Sequence, residues 1–154
     1  MKIALIGMNK GGGIPPLGLA YLASYARKYG NFGNDFVIVD KEDPTSRIRK
    51  ERPDLIGISA VTTEYQDACA LADSIKAVNN VPLILGGVHI SILPHELSKQ
   101  FDVGVVGEGE QTFLELLQLF ERKGAFEKEE LLKIDGVCYH DANSVKTTQK
   151  RKQI

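Results

Sequence analysis

The residues best suited to chemistry in this sequence are small residues gathered in loops. Five loops follow apolar runs, and four of them are rich in Gly, Ser or Thr. Small side chains let backbone approach a large ligand closely, and hydroxyl groups offer hydrogen bonds. These loops therefore predict a ligand-binding site. They span residues 8–14, 40–44, 59–63, 86–91 and 107–109.

The sequence shows no group of residues at the spacing of a catalytic or metal-binding site. Cys69 and Cys138 lie far apart and have no Cys or His at metal-ligand spacing, so neither a zinc site nor an iron–sulfur cluster is encoded. His89 is the best placed of the three histidines, but a lone histidine is more often a hydrogen-bonded loop residue. Neighbouring loops supply no Ser/His/Asp or Cys/His set. Enzyme activity is left open, with no catalytic residue and no metal ligand assigned.

Glu108 and Glu110 lie at the start of the last strongly predicted helix. Carboxylates at a helix N-terminus stabilise the helix dipole but repel a phosphate. The sequence therefore does not predict an anion site there. A carboxylate could instead accept hydrogen bonds from ligand amides or hydroxyls, although compensation of the dipole explains the pair equally well.

Three familiar sites lack their motifs. The first loop, Gly7-Met8-Asn9-Lys10-Gly11-Gly12-Gly13, matches neither the dinucleotide nor the nucleoside-triphosphate glycine pattern. Asp40 ends the second apolar run, where a ribose-binding acid would stand, but the glycine pattern it needs is missing. Ser59 occupies the position of a phosphoacceptor Asp in a receiver domain.

Alternating strand and helix patterns predict the elements that position these loops. The β-rich runs are almost continuously apolar, as in parallel strands covered on both faces. A barrel needs about 250 residues, which is more than this chain has. The sequence predicts an α/β fold: an open, doubly wound parallel sheet, Rossmann-like or flavodoxin-like, of about five strands flanked by helices. Ligands bind such sheets at the carboxyl ends of the strands. The predicted strands are 2–7, 35–40, 54–59, 82–86 and 102–106.

Local signals predict where the helices begin and end. Pro16 precedes a helix that Gly30 would cap, and Thr63 with Gln66 forms a capping box. Pro94 suits the first turn of a short helix. Two further ranges are predicted as helix, 94–99 and 110–122.

One domain accounts for the chain. Residues 1–140 are predicted to form this domain, and residues 141–154 a linker. Within the domain, residues 134–140 are predicted to be a small C-terminal β extension, which a turn at 141–144 would reverse as a hairpin. The net charge of -1 gives no support to nucleic-acid binding. The first apolar run is too short for a signal peptide or membrane span, so we expect a cytoplasmic protein without a membrane partner.

Five motifs occur in a characteristic order: Pro15-Pro16-Leu17-Gly18-Leu19-Ala20-Tyr21-Leu22-Ala23, Asp54-Leu55-Ile56-Gly57-Ile58-Ser59, Gly86-Gly87-Val88-His89, Leu93-Pro94 and Gly107-Glu108-Gly109-Glu110. Together they resemble the N-terminal cobalamin-binding domain of radical S-adenosylmethionine enzymes, over roughly residues 1–140. The resemblance implies a corrin ring over the carboxyl ends of the strands, with its nucleotide tail released from cobalt and inserted among the loops.

The resemblance also implies roles for individual residues. Ser59 and Val61 belong to a motif that contacts the tail, and Gly86 with Gly87 lets the tail pass close to backbone. The remaining implied positions lie beside the corrin or on its rim. They are Gly11, Gly12 and Gly13 beside the corrin, and Thr62, Thr63, Val88, His89, Gly107 and Glu108 on the rim.

Two departures refine this expectation. The first loop lacks the Asp-x-His-x-x-Gly motif whose histidine coordinates cobalt, which implies a base-off cofactor without a histidine ligand from that loop. The chain also lacks Cys-x-x-x-Cys-x-x-Cys, so the iron–sulfur cluster and S-adenosylmethionine would belong to an absent catalytic domain, joined in cis or met in trans. That domain would carry out methyl transfer or another radical reaction.

Two alternatives remain at this level. A flavodoxin-like domain would bind a flavin in the same crevice, and would need hydroxyl groups in the first loop. A docking domain that has lost its ligand would instead show a filled or collapsed crevice and an exposed apolar patch.

Overall fold

The computed structural model describes residues 1–8, 16–32 and 35–152. Its described strands form one sheet in the order β2-β1-β3-β4-β5-β6-β7. The first five strands are parallel, whereas β6 runs antiparallel to β5, and β7 antiparallel to β6. The predicted α/β fold is thereby confirmed. The strands are β1 Ile3–Gly7, β2 Phe36–Val39, β3 Leu55–Ser59, β4 Leu83–Gly86, β5 Val103–Val105, β6 Val137–Asp141 and β7 Ser144–Thr147.

Helices cover both faces of this sheet. The helices are α1 Leu17–Gly30, α2 Pro44–Glu51, α3 Tyr65–Val78, α4 Val88–Ile92, α5 Glu110–Lys123 and α6 Lys128–Leu131. Helices α1 and α5 pack together on one face, with Ile3 and Leu5 of β1 beneath them. The alternate residues Ala4 and Ile6 face the opposite core, which holds buried residues of α2, α3 and α4. This alternation fixes which strand residues can face a ligand on each side.

Two predicted helix caps are wrong. Helix α1 ends at Gly30, where the sequence predicts its end, but the residue in the left-handed cap conformation is Asn31, with φ 57°. The capping box of Thr63 and Gln66 is not formed, because a 3-10 turn, Thr62–Glu64, precedes α3 and places Thr63 inside that turn.

Three short segments differ from the sequence prediction. Helix α2 was not predicted, although the carboxylate of Asp43 caps it by accepting a hydrogen bond from the Ser46 amide at 2.8 Å. The short helix expected over 94–99 is only a 3-10 turn, Pro94–Glu96. Helix α4 lies immediately before it, in a segment predicted as loop.

The predicted C-terminal hairpin is present as β6 and β7, with the turn between Asp141 and Ser144. The range predicted as linker, 141–154, therefore includes a strand of the sheet. Arg151 beyond it forms an ion pair with Glu115 of α5, at 2.6 Å. The folded unit thus extends past residue 140 to at least Arg151. Within the described ranges, no helix is long and apolar enough to cross a membrane.

Candidate ligand-binding site

Three neighbouring strands end side by side in a row of small residues. Gly7 of β1 pairs with Ser59 of β3, and Ser59 pairs with Gly86 of β4. The order of the sheet makes β1 and β3 neighbours although β2 lies between them in sequence. This is the point where connectivity switches direction, at which ligands bind in doubly wound sheets.

A second row lies deeper on the same face. Two residues back along each strand, Leu5 pairs with Gly57, and Gly57 with Ile84. Side chains two residues apart share a face of a strand, so Gly57 lies directly beneath Ser59. Glycine in three of these six positions leaves the face open where side chains would normally fill it.

The open face forms a cavity of about 630 Å³ between the sheet and the helices α1 and α5, which we call the slot. Its walls include Leu19 and Leu22 of α1 and Phe113 of α5. Its volume is within the range of sites that hold small molecules and cofactors. The docking alternative requires a filled or collapsed crevice, and this open cavity does not support it.

The mouth of the slot combines polar groups with partly exposed apolar side chains. Ser59 contributes the hydroxyl, and Met8 and Val61 contribute apolar surface. Three carboxylates also line the cavity: Glu64, Glu108 and Glu110. Because carboxylates repel phosphate, the mouth favours ligand amides and hydroxyls on that side.

Backbone conformation makes glycine necessary at Gly87. Its φ is 102°, and a Cβ there would lie 2.5 Å from the carbonyl oxygen of Ala60. The amide of Ala60 donates to the carbonyl of Gly86 at 3.1 Å, so the ends of β3 and β4 are held together beside the cavity. Gly86 differs, because a Cβ there would meet no atom within 4 Å.

The structure brings six of the predicted site residues to the slot: Ser59, Val61, Gly86, Gly87, Gly107 and Glu108. Thr62, Thr63 and Val88 are exposed and do not line it. Gly11, Gly12 and Gly13 lie outside the described residues.

The position predicted for His89 is wrong. It lies in the first turn of α4 rather than in a ligand-facing loop, and its side chain is only 3% exposed. The ring stacks on Tyr65, and Nε2 lies 3.2 Å from a carboxylate oxygen of Glu96, without hydrogen-bond alignment. His89 therefore belongs to the packing between α3 and α4 and is not among the residues lining the slot.

The residues that make the slot deep were not predicted from the sequence. Leu5, Gly57 and Ile84 sit within strands, and Phe113 was assigned only to a helix core. One signal could have found Gly57: a glycine two residues before Ser59 on an otherwise apolar strand marks a close approach. Among the described residues, no group of three or more His, Cys, Asp or Glu could hold a metal ion.

Comparisons with known proteins agree with this architecture. A family model for the B12-binding domain matches residues 4–117. The chain is 37% identical over 151 residues to an uncharacterized methyltransferase of Pyrococcus horikoshii, and the match covers 91% of this chain but 31% of that protein. The crystal structure of the methanol:cobalamin methyltransferase complex MtaBC from Methanosarcina barkeri superposes with a TM-score of 0.57 at 19% identity, over 84% of this chain and 49% of that one. This last likeness concerns the fold alone.

The fold and the open edge at the switch point define a cofactor-binding α/β domain. The family match then identifies it more narrowly: the chain belongs to the B12-binding domain family, whose cofactor is cobalamin. This membership decides against the flavin alternative.

Proposed function

We propose that this chain holds a cobalamin-type corrinoid at the carboxyl edge of its sheet and presents the cobalt to a catalytic domain. The observation that carries the proposal is the row Gly7–Ser59–Gly86 above Gly57, which opens the slot at the switch point. A nucleotide tail that inserts among the loops needs an opening between the sheet and the helices, and the slot provides one.

The described residues fit the parts of this cofactor. The hydroxyl of Ser59 would hydrogen-bond the tail, and the glycines Gly86 and Gly87 would let it pass against backbone. Glu108 would accept hydrogen bonds from the amide side chains of the corrin, while Gly107 leaves room at the rim. We retain Gly11, Gly12 and Gly13 as proposed contacts beside the corrin.

The lower face of cobalt would have no protein ligand in this proposal. None of the described residues that line the slot is a histidine, and the sequence between β1 and α1 contains none. When bound, the cobalt supplies methyl-group transfer. The contribution of this chain is to bind and orient the cofactor, and the apolar side chains of Met8 and Val61 would exclude water beside it.

The catalytic partner we propose is a radical S-adenosylmethionine domain, in cis or in trans, which would hold the iron–sulfur cluster and S-adenosylmethionine. The motifs from Pro15 to Glu110 support this partner. A methyltransferase context is supported by the relative from Pyrococcus horikoshii, of which this chain spans 31%. Two free cysteines in the described chain are compatible with a cytoplasmic location, which we also propose.

Retention of hydroxocobalamin tests the proposal. The purified chain is mixed with the corrinoid, desalted, and examined by ultraviolet–visible spectroscopy. We expect retained corrinoid with a base-off spectrum. A histidine-ligated spectrum would contradict the proposed lower face, and the absence of retained corrinoid would contradict the binding function of this chain.

A matched pair of variants sharpens the test. Gly86→Val places a side chain in open space at the mouth of the slot, in a strand that favours β-branched residues, so the fold should survive while corrinoid retention falls at least about 10-fold. Ala77→Val adds two methyl groups on the exposed surface of α3 and should bind as the parent does. Equal retention by both variants would remove the slot from the site.

A further inference from the structure

The inner part of the slot has a different chemistry from its mouth. Below the row of Ser59, the lining side chains are hydrophobic and the lining glycine has none. The strand backbone there pairs with neighbouring strands, so its amides and carbonyls are already engaged. A group that enters this part therefore finds almost no free hydrogen-bond partner. The inner residues are Leu5, Gly57, Ile84 and Phe113, whereas Val105 continues the row of Ser59 on β5, beside Gly86.

We infer that the slot selects among corrinoids by their lower base, and favours a benzimidazole over an adenine. The inference rests on the proposed function, because it requires the tail to occupy the slot. It goes further by naming the class of corrinoid that this chain accepts.

The preference for a benzimidazole follows from the polar groups of adenine, which would be buried without hydrogen-bond partners. A dimethylbenzimidazole presents a hydrophobic outer edge with two methyl groups, whereas an adenine presents two additional ring nitrogen acceptors and an amino group. Each polar group buried without a partner carries a desolvation penalty. Water could satisfy these groups only at the mouth, near Ser59 and the carboxylates. We expect an adenine-based cobamide to bind at least about 10-fold more weakly than cobalamin.

Gly57 controls the room available to the base. A Cβ at this position would lie 2.9 Å from Cδ2 of Leu5 and 3.8 Å from Cε2 of Phe113. The first distance is too short for two carbons, so Leu5 must move, and the space between the sheet and Phe113 becomes narrower. Gly57→Ala should therefore weaken binding of any corrinoid that carries a base, while a corrinoid without a tail is not affected.

The experiment measures dissociation constants by isothermal titration of three corrinoids: cobalamin, its adenine analogue, and cobinamide, which lacks the nucleotide tail. Wild type, Gly57→Ala and Val105→Thr are compared. The last variant is nearly isosteric and adds a hydroxyl to the apolar wall of the slot beside Gly86, so it should narrow the difference in affinity between the two bases by roughly 3-fold to 10-fold. Thermal unfolding of each variant verifies that it is folded.

The outcomes separate the inference from the function on which it rests. The inference is supported if wild type binds cobalamin more tightly than the adenine analogue and if Gly57→Ala leaves the affinity for cobinamide unchanged. The inference is overturned if wild type binds cobalamin and its adenine analogue with equal affinity. It is also overturned if Gly57→Ala weakens cobinamide binding as much as it weakens cobalamin binding. In both cases corrinoid binding itself stands. If wild type binds none of the three corrinoids, the proposed function is overturned as well.

Discussion

The imidazole of His89 stacks on the phenol ring of Tyr65, with ring centroids 3.8 Å apart and planes inclined by 17°. The hydroxyl of Tyr65 donates a hydrogen bond to the carbonyl of Glu96, and burial raises the pKa of this hydroxyl well above its usual range. These contacts join the start of α3, the helix α4 and the 3-10 turn Pro94–Glu96. The histidine that follows Gly86 and Gly87 is therefore packed between α3 and α4 and does not line the slot.

Replacement of His89 by Ala should destabilise the fold. The variant loses the stack on Tyr65 and leaves a void at a position only 3% exposed. We expect the free energy of unfolding to fall by about 2–3 kcal/mol in urea titrations. His95→Ala is the control, because His95 is exposed, and it should change stability by less than about 0.5 kcal/mol. Unchanged stability in His89→Ala combined with loss of corrinoid binding would return His89 to the rim of the site.

The class of fold could be predicted from the sequence because it depends on local patterns. Five apolar runs separated by helical periodicity predict a parallel sheet, and the alternation after residue 134 predicts the hairpin. Helix α2 escaped prediction because Ile48 is its only buried residue, so it has no apolar stripe. Its start was nevertheless marked by Asp43 followed by Pro44.

The mouth of the slot was partly predictable, whereas its inner part was not. Ser59, Gly86 and Gly107 end strands or follow them, and strand ends meet at one edge of a parallel sheet. The pairing of Leu5 with Gly57 depends on the register of two strands that are not consecutive in sequence. A single sequence does not specify that register. His89 was misplaced for a related reason: α4 begins directly after Gly87 and turns the side chain away from the slot.

Close packing across the junction of β5 and β6 makes Gly104 sensitive to substitution. Gly104 pairs with Cys138, and a Cβ at Gly104 would lie 2.5 Å from the sulfur of Cys138. Gly104→Ala should therefore lower the free energy of unfolding by about 1–3 kcal/mol. Adding Cys138→Ala removes the sulfur and should recover part of the loss, giving a coupling energy above about 0.5 kcal/mol in a double-mutant cycle. Additive effects would contradict this contact.

The thiol of Cys138 should make the free energy of unfolding depend on pH in the alkaline range. Burial raises its pKa from 9.0 to about 12. The folded state therefore retains a proton that the unfolded state loses, so the stabilisation is fully present below pH 9 and is lost as pH rises toward 12. The slope approaches about 1.4 kcal/mol per pH unit for one proton. Urea titrations between these limits should show a steeper loss in wild type than in Cys138→Ala. Parallel pH profiles would contradict a buried neutral thiol.

The ion pair of Arg151 should stabilise the end of the folded unit. Its Nη2 lies 2.6 Å from Oε2 of Glu115, and its Nε donates to the hydroxyl of Thr112 at 2.9 Å. Thr112 is fully buried and donates in turn to the carbonyl of Asp135. Because the side chain of Arg151 is only 16% exposed, Arg151→Ala should cost about 1–2 kcal/mol in urea titrations.

The matched control for this prediction is Arg122→Ala, which removes a guanidinium that is 59% exposed and pairs with Glu130. Exposed pairs contribute little because water and salt screen them, so this variant should lose less than about 0.5 kcal/mol. A larger loss of unfolding free energy in Arg151→Ala places Arg151 inside the cooperatively folded domain. The domain then extends beyond residue 140, where the sequence predicts its boundary. Equal effects in the two variants would mean that the chain after β7 adds nothing to the fold and acts as a linker from there on.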